Sequence, residues 1–205
     1  MEMKGFIQCL SEFAQMYGRL RVRENGYSHL LFSHLRQEYG NVFMAGVGIT
    51  MTNLQDHLGA SQQLLISQYM RNSKDLYPDL VMFSDRLFDM DLDEISRFNR
   101  LPADITPRLL AEFKFTSSFP TMPRQTVIAD AAKLELLGHY FFTQQGKRPE
   151  LLQVIFNFPA PEHRRPVNRF REWYLREDLP SAIPHVRIVM VFEDGKTETL
   201  SSWCP

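Results

Sequence analysis

The sequence predicts a single α/β domain in which a central mixed β-sheet is flanked by helices. Strand-like and helix-like segments alternate along the chain, and the last two-thirds run strand, strand, helix, strand, helix, strand, strand. The composition, 44% hydrophobic and 23% charged over 205 residues, is that of a globular domain with a sizeable core. Because no repeat, low-complexity segment or linker divides the chain, we treat residues 1–205 as one domain.

Two helices are predicted near the beginning of the chain. Residues 3–18 place apolar side chains at helical spacing and reach a stop at Gly18. Residues 24–39 show the same spacing and end at Gly40. We expect the first helix, within residues 1–20, to pack against the rest of the domain.

The next segments lead to the middle of the sheet. Residues 41–59 can form either a strand pair or a buried helix-like turn. Residues 60–72 can form either a short helix or a strand. Residues 76–84, LYPDLVMFS, predict one short apolar strand, and residues 109–116, LLAEFKFT, predict a second, buried one. Residues 85–107 are acidic and long for a hairpin loop, so we interpret them as an insertion.

The remaining elements follow in quick succession. Residues 124–143 have apolar side chains at three- and four-residue spacing and predict a helix. Residues 151–158 and 185–194 predict strands, and a turn at Asp194-Gly195 leads into a final edge strand. Residues 163–177 predict a basic amphipathic helix.

Charge and cysteine content limit the classes of protein. The net charge of −1 argues against a high-affinity, non-specific nucleic-acid binder, although it leaves room for a local basic groove. Cys9 and Cys204 form neither a CxxC pair nor a disulfide framework, so we expect a cytoplasmic protein. We expect no signal peptide and, without an apolar run of about 18 residues, no membrane partner.

Several familiar catalytic patterns are absent from the sequence. The six histidines form no HxxxH or HExxH pattern, which argues against a zinc site. There is no GxSxG and no GxxxxGK[ST], which argues against a serine hydrolase and a P-loop NTPase.

The strand at 109–116 carries charged residues within an apolar run. Side chains alternate along a strand, so Glu112 and Lys114 share one face and Phe113 points to the other. Asp79 stands at the beginning of the preceding strand, directly after Pro78. If the two strands are neighbours, two carboxylates and one ammonium form a cluster that suits a divalent metal and phosphodiester chemistry.

Phosphodiester hydrolysis assigns a role to each group of this cluster. Asp79, Glu112 and the backbone carbonyl of Phe113 supply hard oxygen ligands, which Mg²⁺ or Mn²⁺ prefers. Lys114 supplies a cation that orients or activates the attacking water. The following helix can cover the site with Asp130 and Lys133.

This order of residues resembles the PD-(D/E)xK nuclease superfamily. The resemblance rests on Pro78-Asp79 before an apolar strand, on Glu112-Phe113-Lys114 in the next strand, and on a helix carrying Asp130 and Lys133. It covers roughly residues 20–160 as an order of elements. The sequence departs from the family in its connection at 85–107, which is shorter in simpler members.

The resemblance implies a restriction-endonuclease-like fold and a metal-dependent nuclease, a hydrolase that uses Mg²⁺ or Mn²⁺. It implies DNA, or else RNA, as the substrate and a possible homodimer. In this family an upstream helix often contributes a further glutamate, and Glu24 matches that position best, with Glu38 as second choice. Glu24 has an alternative interpretation as a carboxylate that favours the start of its helix.

Each candidate residue has a simpler structural interpretation. Glu112 and Lys114 can be the solvated edge of a strand, although the apolar neighbours indicate a strand that is buried on at least one face. Asp79 can be a turn residue after proline. Asp130 and Lys133 are three positions apart on a helix and can simply pair with each other.

The basic helix predicted at 163–177 has two possible interpretations. Its arginines can contact the phosphates of a nucleic acid, or they can form a solvated face. Trp173 and Tyr174 can stack on bases, but their spacing favours a place in the core. The candidate nucleic-acid-binding residues are Arg164, Arg165, Arg169 and Arg171, with Arg176 on the same helix.

Three functions from different classes remain open. The first is the nuclease. The second is a non-catalytic nucleic-acid-binding or assembly module with the same fold. The third is a protein-interaction domain with an unrelated α/β fold, which predicts that Asp79 and Glu112 lie far apart.

Overall fold

The computed structural model describes residues 3–20, 22–40, 43–44, 48–50, 54, 57–69, 75–83, 106–116, 124–158 and 182–200. Residues 85–105 of the predicted insertion at 85–107 lie outside the described residues. So does the predicted basic helix at 163–177, with its candidate phosphate contacts.

Four helices lie entirely within the described residues. They are α1 (Met3–Tyr17), α2 (Glu24–Tyr39), α3 (Ala60–Tyr69) and α4 (Arg124–Gln145). The helices predicted at 3–18, 24–39 and 124–143 are confirmed, and the open segment at 60–72 contains a helix. Gly40 and Gly146 follow α2 and α4 with positive φ angles of 64° and 67°, which glycine adopts without the steric cost that a Cβ imposes.

Within the described residues, eight strands form two sheets. The strands are β1 (Phe43–Met44), β2 (Ile49–Thr50), β3 (Asp75–Leu76), β4 (Leu80–Met82), β5 (Leu109–Thr116), β6 (Glu150–Asn157), β7 (Val186–Phe192) and β8 (Thr197–Thr199). The main sheet has the order β1-β4-β5-β6-β7-β8, and β2 pairs with β3 separately. β5, β6 and β7 are mutually parallel, whereas β1–β4, β4–β5 and β7–β8 are antiparallel pairs. The prediction of a mixed sheet flanked by helices is confirmed.

The prediction of one continuous strand at 76–84 is wrong. Its beginning belongs to β3, which pairs with β2, whereas Leu80–Met82 forms β4 of the main sheet. Pro78 lies between the two strands. Because proline has no N–H to donate to a ladder, it separates them. The open segment at 41–59 contains the short strands β1 and β2, which pair with β4 and β3 and not with each other.

Helices cover both faces of the main sheet. Leu110, Ile155 and Ile188 point to the side covered by α4. The residues next to them in sequence, Ala111, Val154 and Val189, point to the side covered by α1 and α2. This alternation follows from the two-residue period of a strand. On the second side the rings of Phe115 and Phe156 stack with centroids 4.5 Å apart. None of the described helices is both long and apolar enough to cross a membrane.

Candidate active site

The site begins where β4 and β5 stop pairing. Their antiparallel register joins Met82 to Leu109 and ends with Leu80 opposite Ala111. One further step along this register sets Asp79 opposite Glu112. The long connection between the two strands therefore does not separate them, and the two carboxylates lie on adjacent strands.

Asp79 continues the contact between the strands with its side chain. Its Oδ2 accepts a hydrogen bond of 2.8 Å from the backbone N–H of Phe113. This bond takes the place of a ladder bond beside Pro78, and it fixes the carboxylate next to β5. Because the N–H and C=O groups of one residue in a strand point to the same edge, the carbonyl of Phe113 faces this edge too.

Glu112 is a carboxyl group in the interior of the protein, with 2% of its surface exposed. Its Oε1 lies 2.5 Å from Nζ of Lys133 on α4. This is a close ion pair rather than a well-aligned hydrogen bond, since no donor among the described residues meets Oε1 with hydrogen-bond geometry. Burial raises the pKa of Glu112 well above its usual value, and the negative charge of Asp79 raises it further. The nearby ammonium of Lys133 opposes these effects without cancelling them.

Lys133 contacts oxygen atoms from three parts of the chain. Besides the contact with Glu112, its ammonium donates a hydrogen bond of 2.8 Å to the carbonyl oxygen of Tyr77 and lies 3.9 Å from Oδ1 of Asp130. The simple interpretation, in which Lys133 pairs only with Asp130 one helical turn earlier, is therefore incomplete. Its shortest contact is with β5.

Asp130 links the two lysines of the site. Its Oδ2 lies 3.7 Å from Nζ of Lys114 on β5, and its Oδ1 faces Lys133. Burial raises the pKa of Asp130, whereas the positive charges of Lys133 and Lys114 lower it and Asp79 raises it. Lys114 thus lies at the border of the cluster, with its side chain 20% exposed.

The donor set suits a hard divalent cation. Carboxylate and carbonyl oxygens are the ligands that Mg²⁺ prefers, and the site offers these from Asp79, Glu112, Asp130 and Tyr77. In the described part of the chain, no three His, Cys, Asp or Glu side chains are arranged to hold a metal ion. The ammonium of Lys133 lies within 3.9 Å of oxygen atoms from three of these four residues, namely Glu112, Asp130 and Tyr77.

The two candidate glutamates, Glu24 and Glu38, lie at opposite ends of α2. Glu24 is the first residue of α2, and its side chain lies outside the described part of the molecule. Glu38 is exposed near the other end of α2, and its charge raises the pKa of Cys9 on α1. Because α2 covers the face opposite α4, the structure does not bring Glu38 to the cluster. The second-choice assignment of Glu38 therefore stays a prediction that no contact among the described residues supports.

Sequence reasoning missed two groups at this site. One is the carbonyl of Tyr77, whose position depends on the break between β3 and β4. The other is Gln153 of β6, which is fully buried and opposite Glu112 in the β5–β6 register. A signal for Gln153 exists in the sequence, since it is the one polar residue within LLQVIF, and a buried polar side chain needs a partner or a function.

No protein-family model matches the chain, and no curated protein and no solved structure matches it.

Proposed function

We propose that this chain is a Mg²⁺- or Mn²⁺-dependent nuclease of the restriction-endonuclease-like type that hydrolyses phosphodiester bonds, with DNA as its first expected substrate and RNA as the second. One observation carries the proposal. A buried carboxyl group, Glu112, faces a second carboxylate across two paired strands, with two lysines beside them. A protein interior rarely holds such a cluster without a function.

The geometry supports a division of roles. Asp79 and Glu112, with the carbonyl of Phe113, would hold the metal ion, and Asp130 would complete or border this oxygen set. A bound divalent ion would polarise a phosphoryl oxygen and supply a water of lowered pKa. Lys114 reaches the border of the cluster from the strand that carries Glu112, where its ammonium can orient a water or stabilise developing negative charge.

The fold supports the proposal at a coarser level. The element order and the mixed sheet are those expected of a restriction-endonuclease-like domain. Helix α4 follows β5 and brings Asp130 and Lys133 over the charged face of that strand. Glu24 remains a proposed additional acid from α2, and the arginines of the 163–177 segment remain proposed phosphate contacts.

The experiment is a cleavage assay with purified protein. Supercoiled plasmid and a single-stranded RNA are incubated with Mg²⁺, with Mn²⁺ and with EDTA. We expect nicking or cutting with metal alone, and we expect Lys114→Ala and Glu112→Ala each to lower the rate by about a hundredfold or more. Lys196→Ala is the matched control, because Lys196 is exposed and its partner, Asp194, does not belong to the site.

Two checks make the result decisive. Circular dichroism and thermal unfolding should show that each variant is folded. Activity that persists in both Lys114→Ala and Glu112→Ala would contradict the mechanism, since no other described residues combine a buried carboxylate with a neighbouring ammonium on the same strand face.

A second candidate is a nucleic-acid-binding or assembly module of the same fold without catalysis. The ion pair between Lys133 and Glu112 favours it, because an internal cation already compensates the buried carboxylate. This candidate predicts no cleavage and no heat of metal binding. It further predicts DNA binding that weakens with salt and is lost when Arg164 and Arg169 are replaced by glutamate.

A further inference from the structure

We infer that Lys133 is an internal competitor of the metal: its ammonium lies against Glu112, one of the proposed metal ligands, and a divalent ion binds only when this side chain withdraws. The inference rests on the proposed metal-dependent function. The proposed function places Lys133 over the charged face of β5 without a role of its own, and the inference gives this residue control over metal binding.

The ammonium of Lys133 is surrounded by oxygen atoms. Nζ of Lys133 lies 2.5 Å from Oε1 of Glu112, 2.8 Å from the carbonyl oxygen of Tyr77 and 3.9 Å from Oδ1 of Asp130. Two of these oxygens are carboxylate and one is carbonyl, so a positive charge is already surrounded by ligands of the type that Mg²⁺ and Mn²⁺ take. A divalent ion bound by Glu112 would lie close to this ammonium, and like charges repel strongly in a partly buried site, so metal binding at Glu112 disfavours the position that Lys133 holds.

The other lysine of the site, Lys114, has a different position. Lys114 and Lys133 lie at similar distances from Asp130, 3.7 Å and 3.9 Å, and their side chains are similarly exposed, 20% and 16%. Only Lys133 contacts Glu112, the more deeply buried carboxyl group. The two lysines therefore have comparable electrostatic effects on Asp130, but only one of them occupies the space beside Glu112.

The ammonium of Lys133 can leave its position beside Glu112. Lys133 lies within the 22-residue helix α4, whose backbone is fixed by the helix and by its packing on β5, β6 and β7. The side chain has a flexible four-carbon stem, so rotation about its own bonds can carry the charge toward solvent. Withdrawal of the ammonium requires no movement of the backbone, and metal binding therefore needs no refolding of the site.

A polar side chain beside Glu112 supports the presence of a ligand site. Both side-chain amide atoms of Gln153 are fully buried and have no hydrogen-bond partner within the described residues. Gln153 pairs with Glu112 in the parallel β5–β6 register, so the two side chains emerge on the same face of the sheet. An unpaired buried amide costs free energy, and it is suited to holding the Glu112 carboxylate once Lys133 has released it.

The test is metal binding by the full-length chain, measured by calorimetry with MnCl₂ after removal of metal with EDTA. Loss of one contact with a charged group predicts that Lys133→Met binds Mn²⁺ about tenfold to a hundredfold more tightly than wild type. Lys114→Met is the matched control and should bind less than about threefold more tightly, because it removes a charge near Asp130 without vacating the position beside Glu112. Lys196→Met, a distant surface change, should leave the affinity unchanged.

A second measurement uses the wild-type protein and does not depend on the folding of a variant. Lysine acetylation is followed by mass spectrometry with and without Mn²⁺. Lys133 should react slowly in EDTA, where it is paired, and several-fold faster when Mn²⁺ is bound. Lys196, with 82% of its side chain exposed, should react at the same rate in both conditions.

The outcomes separate the two proposals. If wild type binds Mn²⁺ and Lys133→Met binds it no more tightly, or if bound Mn²⁺ does not increase the acetylation of Lys133, the competitor role is refuted and the nuclease proposal stands. If neither wild type nor Lys133→Met binds Mn²⁺, both proposals are refuted. If only Lys133→Met binds, the competitor role is supported, and wild type then requires another factor to withdraw Lys133.

Discussion

Replacement of Glu112 by glutamine should make the metal-free protein more stable. Glutamine has nearly the same shape, so the packing beneath α4 is kept. It removes a charge that is almost fully buried and that lies close to the carboxylates of Asp79 and Asp130. Lys133 loses one partner but keeps the carbonyl of Tyr77 and the carboxylate of Asp130.

The raised pKa of Glu112 gives this effect its direction, and the pH of the measurement limits its size. The carboxyl group ionises more readily in the unfolded chain than in the folded one. Each unit by which folding raises its pKa therefore lowers the free energy of unfolding by up to about 1.4 kcal/mol. At pH 7 the loss cannot exceed roughly 3–4 kcal/mol, because the group simply remains protonated when its pKa rises above the pH. The attraction of Lys133 is already contained in the pKa. We therefore expect Glu112→Gln to raise the free energy of unfolding by about 1–3 kcal/mol, or Tm by about 2–4 °C per kcal/mol.

The pH dependence gives this prediction a sign that can be checked. A carboxyl group whose pKa is raised in the folded state stabilises the protein most below its unfolded pKa, and that contribution is lost as the pH rises. The difference between Glu112→Gln and wild type should thus be small near pH 4.5 and largest near pH 7. Urea unfolding in EDTA at several pH values measures it, with the exposed Glu150→Gln as a control that stays within about 0.5 kcal/mol of wild type.

Two results would refute this reasoning. The first is a Glu112→Gln protein that is less stable than wild type at pH 7, which would mean that the ion pair with Lys133 outweighs burial and the repulsion from Asp79. The second is a stability difference that does not change between pH 4.5 and pH 7, which would mean that Glu112 titrates with an ordinary pKa.

Two further predictions concern buried groups. Gln153→Leu should raise the free energy of unfolding by about 1–2 kcal/mol in urea, because it removes a buried amide without hydrogen-bond partners; a decrease would show that the amide has a partner in solution. Burial raises the pKa of Cys9 to about 11, and the negative charge of Glu38 contributes. In a Cys204→Ser background, alkylation of Cys9 by iodoacetamide at pH 8 should therefore be about two orders of magnitude slower in the folded protein than in urea, and it should accelerate as the pH rises. Rates within a few-fold of each other would contradict a buried, protonated thiol.

The parts of the fold that sequence predicts well are those set by neighbours along the chain. In α4 the buried side chains of Val127, Ala131, Leu134 and Phe141 recur at helical spacing, so the helix can be identified from sequence alone. The break at Pro78 is harder to identify. An apolar run around a single proline resembles one strand, and only the pairing of its two halves with different strands shows that it is two.

For the candidate site, alternation predicted the shared face of Glu112 and Lys114 correctly, because the two-residue period of a strand is local. The partners of that face depend on contacts between distant segments. Tyr77, whose carbonyl accepts a hydrogen bond from Lys133, lies 56 positions before it in the chain. Gln153 lies opposite Glu112 only because β5 and β6 pair in parallel. Sequence spacing suggested that Lys133 pairs with Asp130, whereas helix packing directs it to β5.

The stability of the site bears on whether it has a function. A buried ion pair gives little net stability, and well-packed apolar residues of similar volume often replace it without loss. The neighbours of Glu112 on the same face of the sheet, Leu110 and Ile155, show that this part of the core accommodates such residues. If Glu112→Gln is more stable, the carboxylate is a cost to the folded state, and the cluster is explained by what it binds. If the charged cluster instead proves to stabilise the fold, the ion pair of Lys133 and Glu112 is sufficient reason for it, and the non-catalytic candidate becomes the better account.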